Sequence, residues 1–348
     1  MRIGWKHLGV AFVAMAAVGM LIAWIGLIDV RASTGHWRVT DWFLHFVMGS
    51  SIRTAALGTA VPDLDNPAYL PLAAGHYETA CADCHGSPER ARSPVTLGML
   101  PPPPVLEDVV GSWTDAQLFE IVKHGVRYTG MPAWPAANRD DEVWAMVAFL
   151  RRYPQLDAER YRALTGDPRA QGGSSSDPLV ADCDSCHAPE RLQNDSLIPI
   201  LDGQSEAYLL ESLRAFRRGS RPSGVMQAVV GQLDDQSMVL LARFYAERAL
   251  PAKDDKLLHE LAINGDAARG IPACWNCHDK AGLNPAYPSL RSLSRHYIRN
   301  QLRLFQADLR GGGAYRDLMA RAAKNLTQED IEALARYYGE TSTPLRKE

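Results

Sequence analysis

The sequence has no cysteine outside three short motifs, and no run of residues alternates between apolar and polar as a half-buried β-strand does. This lack of strands predicts an all-α protein. No G-x-G-x-x-G fingerprint follows a strand, and no phosphate loop or nucleophile–base constellation is present, which argues against nucleotide-dependent and hydrolytic enzymes. The chain has 37 Lys and Arg against 40 Asp and Glu, so it lacks the basic footprint of a nucleic-acid-binding protein.

All six cysteines lie in three copies of Cys-x-x-Cys-His. This spacing is the attachment signature of c-type haem, in which two thiols form thioethers with the porphyrin and the adjacent histidine ligates the iron. The sequence therefore predicts three covalently bound haem c groups. The predicted attachment residues are Cys81, Cys84, Cys183, Cys186, Cys274 and Cys277, and the predicted proximal iron ligands are His85, His187 and His278.

Zinc binding, disulfide formation and thioredoxin-like redox chemistry fit the cysteine motifs less well. A structural zinc site needs four ligands, and two thiols with one histidine leave each copy incomplete. A disulfide framework does not need a histidine after each pair, and so short a loop restrains little of the chain. A thioredoxin-like redox motif would occur once, near a βαβ pattern that this sequence lacks.

The N-terminus carries a long apolar run that predicts a membrane anchor. Arg2 and Lys6 precede the uncharged residues 8–28, which would span about 31 Å as a helix and so match a bilayer core. A cleaved signal peptide is the alternative, but its apolar core is usually shorter, and the best cleavage site here has Arg31 at its centre. Because basic residues precede the span, we expect a single-pass protein of the bacterial inner membrane with its haem domains in the periplasm.

A second apolar segment follows the anchor. Thr40 or Asp41 can cap a helix that starts at Trp42, and its apolar residues, which include Phe46, then share one face. This face fits either the membrane interface or the surface of the first haem domain, and the sequence does not decide between the two.

The repeat of the motif predicts three domains in tandem. A Gly/Ser/Pro-rich stretch is typical of a flexible linker after the first of them, whereas the second junction is short enough for a rigid pair. The predicted layout is an anchor at 1–31, an interfacial amphipathic segment at 32–65, a first domain at 66–165, a linker at 166–178, a second domain at 179–252 and a third at 253–348.

Each predicted domain repeats the same order of parts. A short helix carries the motif, a proline-containing loop follows, and a middle helix, a methionine loop and a final amphipathic helix complete the unit. The middle helices of the second and third domains are predicted at 206–218 and 295–309, and the final helices of all three at 140–152, 234–248 and 327–338.

This order resembles the class I cytochrome c fold over residues 66–340. The resemblance implies a methionine as the sixth iron ligand in each domain, reaching the iron from the far side of the haem. The usual role of a methionine is to fill a core, and Met99 follows His85 by only 14 residues, too few to cross a haem easily. The matching ligands are Met131, Met226 and Met319, which follow their proximal histidines by 46, 39 and 41 residues.

The same resemblance implies contacts around the haem. The carbonyls of Pro199 and Pro288 are expected to face the rings of the proximal histidines and so to orient them. The haem carboxylates are expected to meet Arg217, Arg221 and Arg310.

Two narrower resemblances concern the partners. On Leu201-Asp202-Gly203-Gln204 and Gly219-Ser220-Arg221, the second and third domains resemble tandem di-haem cytochromes that pass electrons to terminal oxidases. The whole layout resembles the cytochrome subunit of membrane-bound alcohol, gluconate and fructose dehydrogenases. Both resemblances imply redox partner proteins, namely dehydrogenase or oxidase subunits and other cytochromes.

Coordination by histidine and methionine leaves no open position on the iron, so the expected chemistry is one-electron transfer and not catalysis. We expect an electron-transfer subunit of a respiratory chain, placed between a dehydrogenase or quinol-oxidising donor and a terminal oxidase or soluble cytochrome. The alternative is a catalytic haem protein, a peroxidase or a gas sensor, whose first haem is five-coordinate.

Overall fold

The computed structural model describes residues 4–31, 33–35, 37–166, 177–189, 196–249, 259–278, 284–291 and 293–339. Within these ranges all regular structure is helical, apart from two isolated β-bridges, Ser87–Arg90 and Asp266–Ile271. The all-α prediction is therefore confirmed for the described residues. Most of the predicted linker and the junction near residue 253 lie outside them, so the proposed domain boundaries stay a prediction.

Helix α1 (Trp5–Trp24) stands clear of the rest of the protein. It is long and apolar enough to cross a membrane by length and composition, and none of its residues is buried. A signal sequence passes the same test, so the helix agrees with either sequence-based alternative.

Helix α2 (Arg38–Ala55) begins before the predicted start at Trp42. Trp37, with an extended ψ of 145°, occupies the N-cap position, and no side chain caps the helix. One part of α2 contacts the helix Asp115–His124 of the first predicted domain. The rings of Trp42 and Phe46 stack at 5.8 Å and stay more than half exposed. Helix α2 thus touches the first predicted domain and still presents an apolar face to its surroundings.

The first predicted domain contains seven helices among its described residues. A π-helical turn, Tyr77–Cys81, leads into the first motif, and such turns occur frequently at functional sites. The helices are α3 (Tyr69–His76), α4 (Ala82–His85), α5 (Pro94–Leu97), α6 (Leu106–Val109), α7 (Asp115–His124), α8 (Asp140–Arg152) and α9 (Ala158–Thr165).

An aromatic cluster joins the motif-bearing helices to α8. The ring of Tyr77 lies 5.3 Å from that of Phe149 and 5.0 Å from that of Tyr153. The hydroxyls of both tyrosines donate to the carbonyl of Gly86, at 2.7 and 3.1 Å. Since Gly86 directly follows His85, the core of this domain fixes the end of the first motif.

The second and third predicted domains follow a shared plan. Their predicted middle and final helices are confirmed to within three residues at each end. Three of these helices begin where the side chains of Ser205, Asp234 and Ser294 cap them. The helices are α10 (Pro178–His187), α11 (Glu206–Arg217), α12 (Gly224–Val230) and α13 (Asp235–Glu247), then α14 (Glu260–Asn264), α15 (Trp275–His278), α16 (Arg295–Gln306), α17 (Arg316–Ala323) and α18 (Gln328–Gly339).

The buried apolar residues gather in three successive stretches of the chain. One cluster lies within residues 73–161, two adjoining clusters lie within 180–245, and another lies within 261–338. The first cysteine of each motif packs against the cluster of its own stretch. Each motif therefore borders a separate core.

Direct contacts join the second and third predicted domains. The amide side chain of Gln204 exchanges two hydrogen bonds with the backbone of Ser289, at 2.7 and 2.9 Å. The Gly312 amide donates to the carbonyl of Ser220 at 2.9 Å. These paired contacts agree with the expected rigid pair.

Candidate haem sites

Each Cys-x-x-Cys-His motif ends a short helix, namely α4, α10 or α15. All six cysteines lie in the part of the chain that the structure describes; none of them forms a disulfide, and all are partly exposed. Desolvation by the surrounding protein raises the pKa of Cys81 and that of Cys183 to about 12, so both are protonated thiols at neutral pH. Among the described residues, no group of three His, Cys, Asp or Glu side chains is placed to hold a metal ion. Covalent attachment of haem to these thiols stays a prediction from the motifs.

The three proximal histidines share one hydrogen-bonding arrangement. In each motif, the Nδ1 atom of the ring lies within hydrogen-bonding distance of a proline carbonyl, which can only accept. Nδ1 therefore carries the proton, and Nε2 keeps its lone pair for the iron. The pairs are His85 with Pro104 at 3.1 Å, His187 with Pro199 at 2.7 Å and His278 with Pro288 at 2.8 Å.

The expected carbonyls of Pro199 and Pro288 are therefore present. The third, Pro104, is a partner that the sequence does not single out, although it ends the proline run that follows the first motif. Burial lowers the pKa of His85, and the Pro104 carbonyl only partly opposes this shift. The ring is therefore neutral at physiological pH, as an iron ligand must be.

All three predicted methionine ligands lie between a middle and a final helix, as expected, but only Met131 lies in a loop. Its amide donates to Thr129 at 3.1 Å, and Pro132 follows it, which prevents a helix there. The predicted loops around Met226 and Met319 are wrong, because these residues lie on α12 and α17. Their role as iron ligands stays a prediction.

Met99 approaches the Met131 loop despite its early position in the sequence. Its Cε atom would lie only 2.1 Å from a Cβ added to Gly130, so the thioether reaches the residue next to Met131. The short sequence separation between His85 and Met99 therefore does not exclude Met99 from the neighbourhood of the first candidate haem site.

The buried Arg221 and the partly buried Arg310 meet between the second and third predicted domains. Burial and the charge of Arg221 lower the pKa of Arg310 to about 10. Burial alone would raise the pKa of Tyr208, but the charges of Arg221 and Arg310 lower it to about 8. The described residues give neither guanidinium a carboxylate partner, and an anion is needed to stabilise such a pair. Haem carboxylates have the required charge. Arg217, the third arginine expected to meet them, instead pairs with Asp235 at 2.5 Å.

Arg310→Gln is expected to lower the reduction potential of a haem in the second or third predicted domain. Removing a nearby positive charge disfavours the reduced iron, and the expected shift is on the order of 50 mV. A spectroelectrochemical titration measures it, with Arg217→Gln as the control because that arginine already has a carboxylate partner. Equal shifts in the two variants would show that Arg310 has no special place near a haem.

Comparison with known proteins agrees with this arrangement. A family model described as cytochrome c oxidase, cbb3-type, subunit III matches residues 71–150, which include the first motif and Met131. Cytochrome c4 of Stutzerimonas stutzeri is 30% identical over 196 residues, which cover 50% of this chain and 91% of that protein. The chain belongs to the cytochrome c family. Members of this family carry covalently bound haem c and transfer electrons, and the three Cys-x-x-Cys-His motifs of this cytochrome are compatible with such attachment.

Further relatives also align with part of this cytochrome. The thiosulfate dehydrogenase electron acceptor of Thiomonas intermedia is 29% identical over 175 residues, 47% of this cytochrome and 80% of that protein. The structure of reduced recombinant cytochrome c4 from Pseudomonas stutzeri is 28% identical, with a TM-score of 0.40, and covers 46% of this cytochrome and 93% of that chain. Because the family model matches residues 71–150 alone and the two related proteins align with about half of this cytochrome, the full number of haems is a proposal.

Bound haem would supply one-electron exchange at its iron. The residues of this cytochrome would contribute orientation and charge. The proline carbonyls would orient the rings of His85, His187 and His278 and keep the proton on Nδ1. The guanidinium groups of Arg221 and Arg310 would provide a positive site for the haem carboxylates.

Proposed function

We propose that this cytochrome is a membrane-anchored periplasmic protein whose three haem c groups relay single electrons in a respiratory chain. The observation that carries the proposal is the repetition of one geometry, in which all three proximal histidines face a proline carbonyl through Nδ1. A chance Cys-x-x-Cys-His sequence would not bring this second contact with it. Each haem would occupy its own domain, with Met131, Met226 and Met319 closing the three iron centres.

The proposed anchor is α1, which would cross the inner membrane once with its N-terminus in the cytoplasm. Its 20 residues span about 30 Å, and none of them is buried. The exposed rings of Trp42 and Phe46 on α2 would then lie at the membrane surface, where amphipathic aromatic residues are favoured. This arrangement gives both exposed apolar surfaces a non-aqueous environment.

The proposed partners are other redox proteins. Electrons would enter from a dehydrogenase or a quinol-oxidising complex and leave to a terminal oxidase or a soluble cytochrome. The name of the Thiomonas relative supports a dehydrogenase as donor, because it describes an electron acceptor of such an enzyme. In this role the protein is an electron-transfer subunit without a reaction of its own.

The intact mass of the purified protein tests both the haem count and the anchor. We expect the mass of the full chain plus three haems, and two haems in the double variant Cys274→Ala with Cys277→Ala, because its third motif has no thiol left. A wild-type mass with fewer haems would contradict the relay of three. A mass that lacks the N-terminal segment would show that α1 is a cleaved signal peptide.

A catalytic haem protein remains the second candidate, on one observation. Met131 lies in an irregular loop in which residues 127–130 are exposed, unlike the helices that carry Met226 and Met319. A loop of this kind can release its ligand more readily than a packed helix. A peroxidase or gas sensor would therefore use the first haem.

A further inference from the structure

The N-terminal turn of α8 carries a buried carboxylate that faces the second predicted domain. The side chain of Glu142 is only 3% exposed and forms an ion pair with Arg139 at 3.0 Å. The hydroxyl of Ser223 donates to its Oε1 atom at 2.6 Å, and the amide of Gly224 donates to its Oε2 atom at 2.7 Å. Trp134 donates to the same Oε2 atom through Nε1 at 3.2 Å. Glu142 thus binds donors from both domains at once.

The donors on the two sides belong to the two methionine segments. Trp134 stands three residues after Met131 in the same loop. Ser223 caps α12, and its Oγ atom also accepts the amide hydrogen of Met226 at 3.2 Å. Glu142 is therefore one hydrogen bond from the Met131 loop and two hydrogen bonds from the backbone of Met226.

Close packing holds the two segments against each other. A Cβ at Gly224 would lie 2.1 Å from Nε1 of Trp134, so only glycine leaves room for the indole. On its other side, the indole meets the buried ring of His76 at 4.6 Å. The guanidinium of Arg139 adds a hydrogen bond to the carbonyl of Pro222 at 2.7 Å. The contact is closely packed and polar at its centre.

We propose that Glu142 is a positioning residue that links the Met131 loop to the Met226 helix, so that the reduction potentials of the first and second haems depend on each other. This inference rests on the proposed function, in which both methionines ligate iron. A change in the Met131 loop moves Trp134, which shifts the carboxylate and, through Ser223, the start of α12.

Burial raises the pKa of Glu142, and the charge of Arg139 and the hydrogen bonds from Ser223 and Trp134 oppose this shift. Because Arg139 faces Oε1 and the Gly224 amide donates to Oε2, both oxygens act as acceptors, as those of an ionised carboxylate do. Hydrogen bonds to a charged acceptor are about twice as strong as neutral ones. In a buried site they also restrict the geometry of every partner, since an unsatisfied donor there is costly. Displacing one donor from the carboxylate of Glu142 therefore changes the positions of the other donors.

A double-mutant cycle in the full-length protein tests the link. Trp134→Phe removes the Nε1 donor but keeps an aromatic ring beside His76. We expect it to change the equilibrium constant for reducing the second haem by up to tenfold, which is about 59 mV for one electron. In a Glu142→Ala or Glu142→Gln background, the same substitution should leave the second haem unchanged, because the link is already broken.

Potentials are measured by spectroelectrochemical titration, and each haem is identified by the NMR signal of its bound methionine methyl group. Asp140→Asn is the matched control, because Asp140 shares the same helical turn but pairs with Lys123 inside the first predicted domain at 2.7 Å. The proposal is overturned if Trp134→Phe shifts only the first haem, or if its effect on the second persists without Glu142. Failure of the proposed function would show separately, as missing haems or missing methionine signals in the unmodified protein.

Discussion

Replacing Met131 by alanine is expected to open the first haem iron to external ligands. The predicted sixth ligand is lost, and a methyl group cannot replace it, so this haem becomes five-coordinate and high-spin. The reduced protein should then bind carbon monoxide at one haem in three. The potential of that haem should fall by on the order of 0.2 V, a fraction of the range that axial ligands set. Absorption spectra with and without carbon monoxide, together with a redox titration, measure both effects.

The neighbouring thioether of Met99 makes a second variant necessary. If Met131→Ala stays low-spin but Met99→Ala with Met131→Ala does not, Met99 replaces the lost ligand, as its contact with Gly130 permits. Met146→Leu is the control, because Met146 is a core residue at 2% exposure and leucine keeps its volume. Binding of carbon monoxide by the unmodified protein would instead support the catalytic alternative.

A single methyl group at Gly311 is expected to separate the second and third predicted domains. Gly311 has φ +59°, and a Cβ there would lie 2.1 Å from the carbonyl oxygen of Ser220. Gly311→Ala therefore places a side chain on a backbone with left-handed φ and creates a steric clash with Ser220. Together these two effects should lower the free energy of unfolding by about 3 kcal/mol. The hydrogen bond from Gly312 to Ser220 should be lost as well. Denaturant unfolding and the rate of electron redistribution after rapid reduction measure the two consequences.

Gly58→Ala separates backbone strain from the steric clash. Gly58 has a similar φ of +81°, but an added Cβ would meet nothing within 4 Å. We expect it to cost about 1 kcal/mol and to leave electron transfer unchanged. Equal effects of the two substitutions would mean that the Ser220 contact is unimportant. If Gly311→Ala destabilises the protein but leaves the rate of electron redistribution normal, electron transfer does not depend on this interface.

Local signals in the sequence are sufficient to predict most of the helices in the second and third predicted domains. Helices α11, α13 and α16 begin where Ser205, Asp234 and Ser294 cap them, and a cap is a property of neighbouring residues. The caps are therefore open to prediction from the sequence. The contacts between the motif histidines and the proline carbonyls span 10 to 19 positions. The resemblance to class I cytochromes c implies those of Pro199 and Pro288 but not the one with Pro104.

Contacts between segments that lie far apart in the chain cannot be predicted from local signals in the sequence. Glu142 lies 81 and 82 positions before its partners Ser223 and Gly224, and no periodicity or spacing connects them. The sequence pattern around Met226 predicts a loop where a helix forms, for a similar reason. The seven residues of α12 are too few to show an apolar pattern, and part of its stability comes from packing on Phe216. Tertiary context decides both features.

The closeness of the first and second predicted domains also constrains how the protein matures. A Cβ at Gly75 would lie 3.0 Å from the sulfur of Cys186, so α3 packs against one predicted attachment residue of the second haem. The thiol of Cys186 stays partly exposed, but α3 restricts the approach to it from one side. We therefore expect haem to join the second motif faster before the first domain docks than after it.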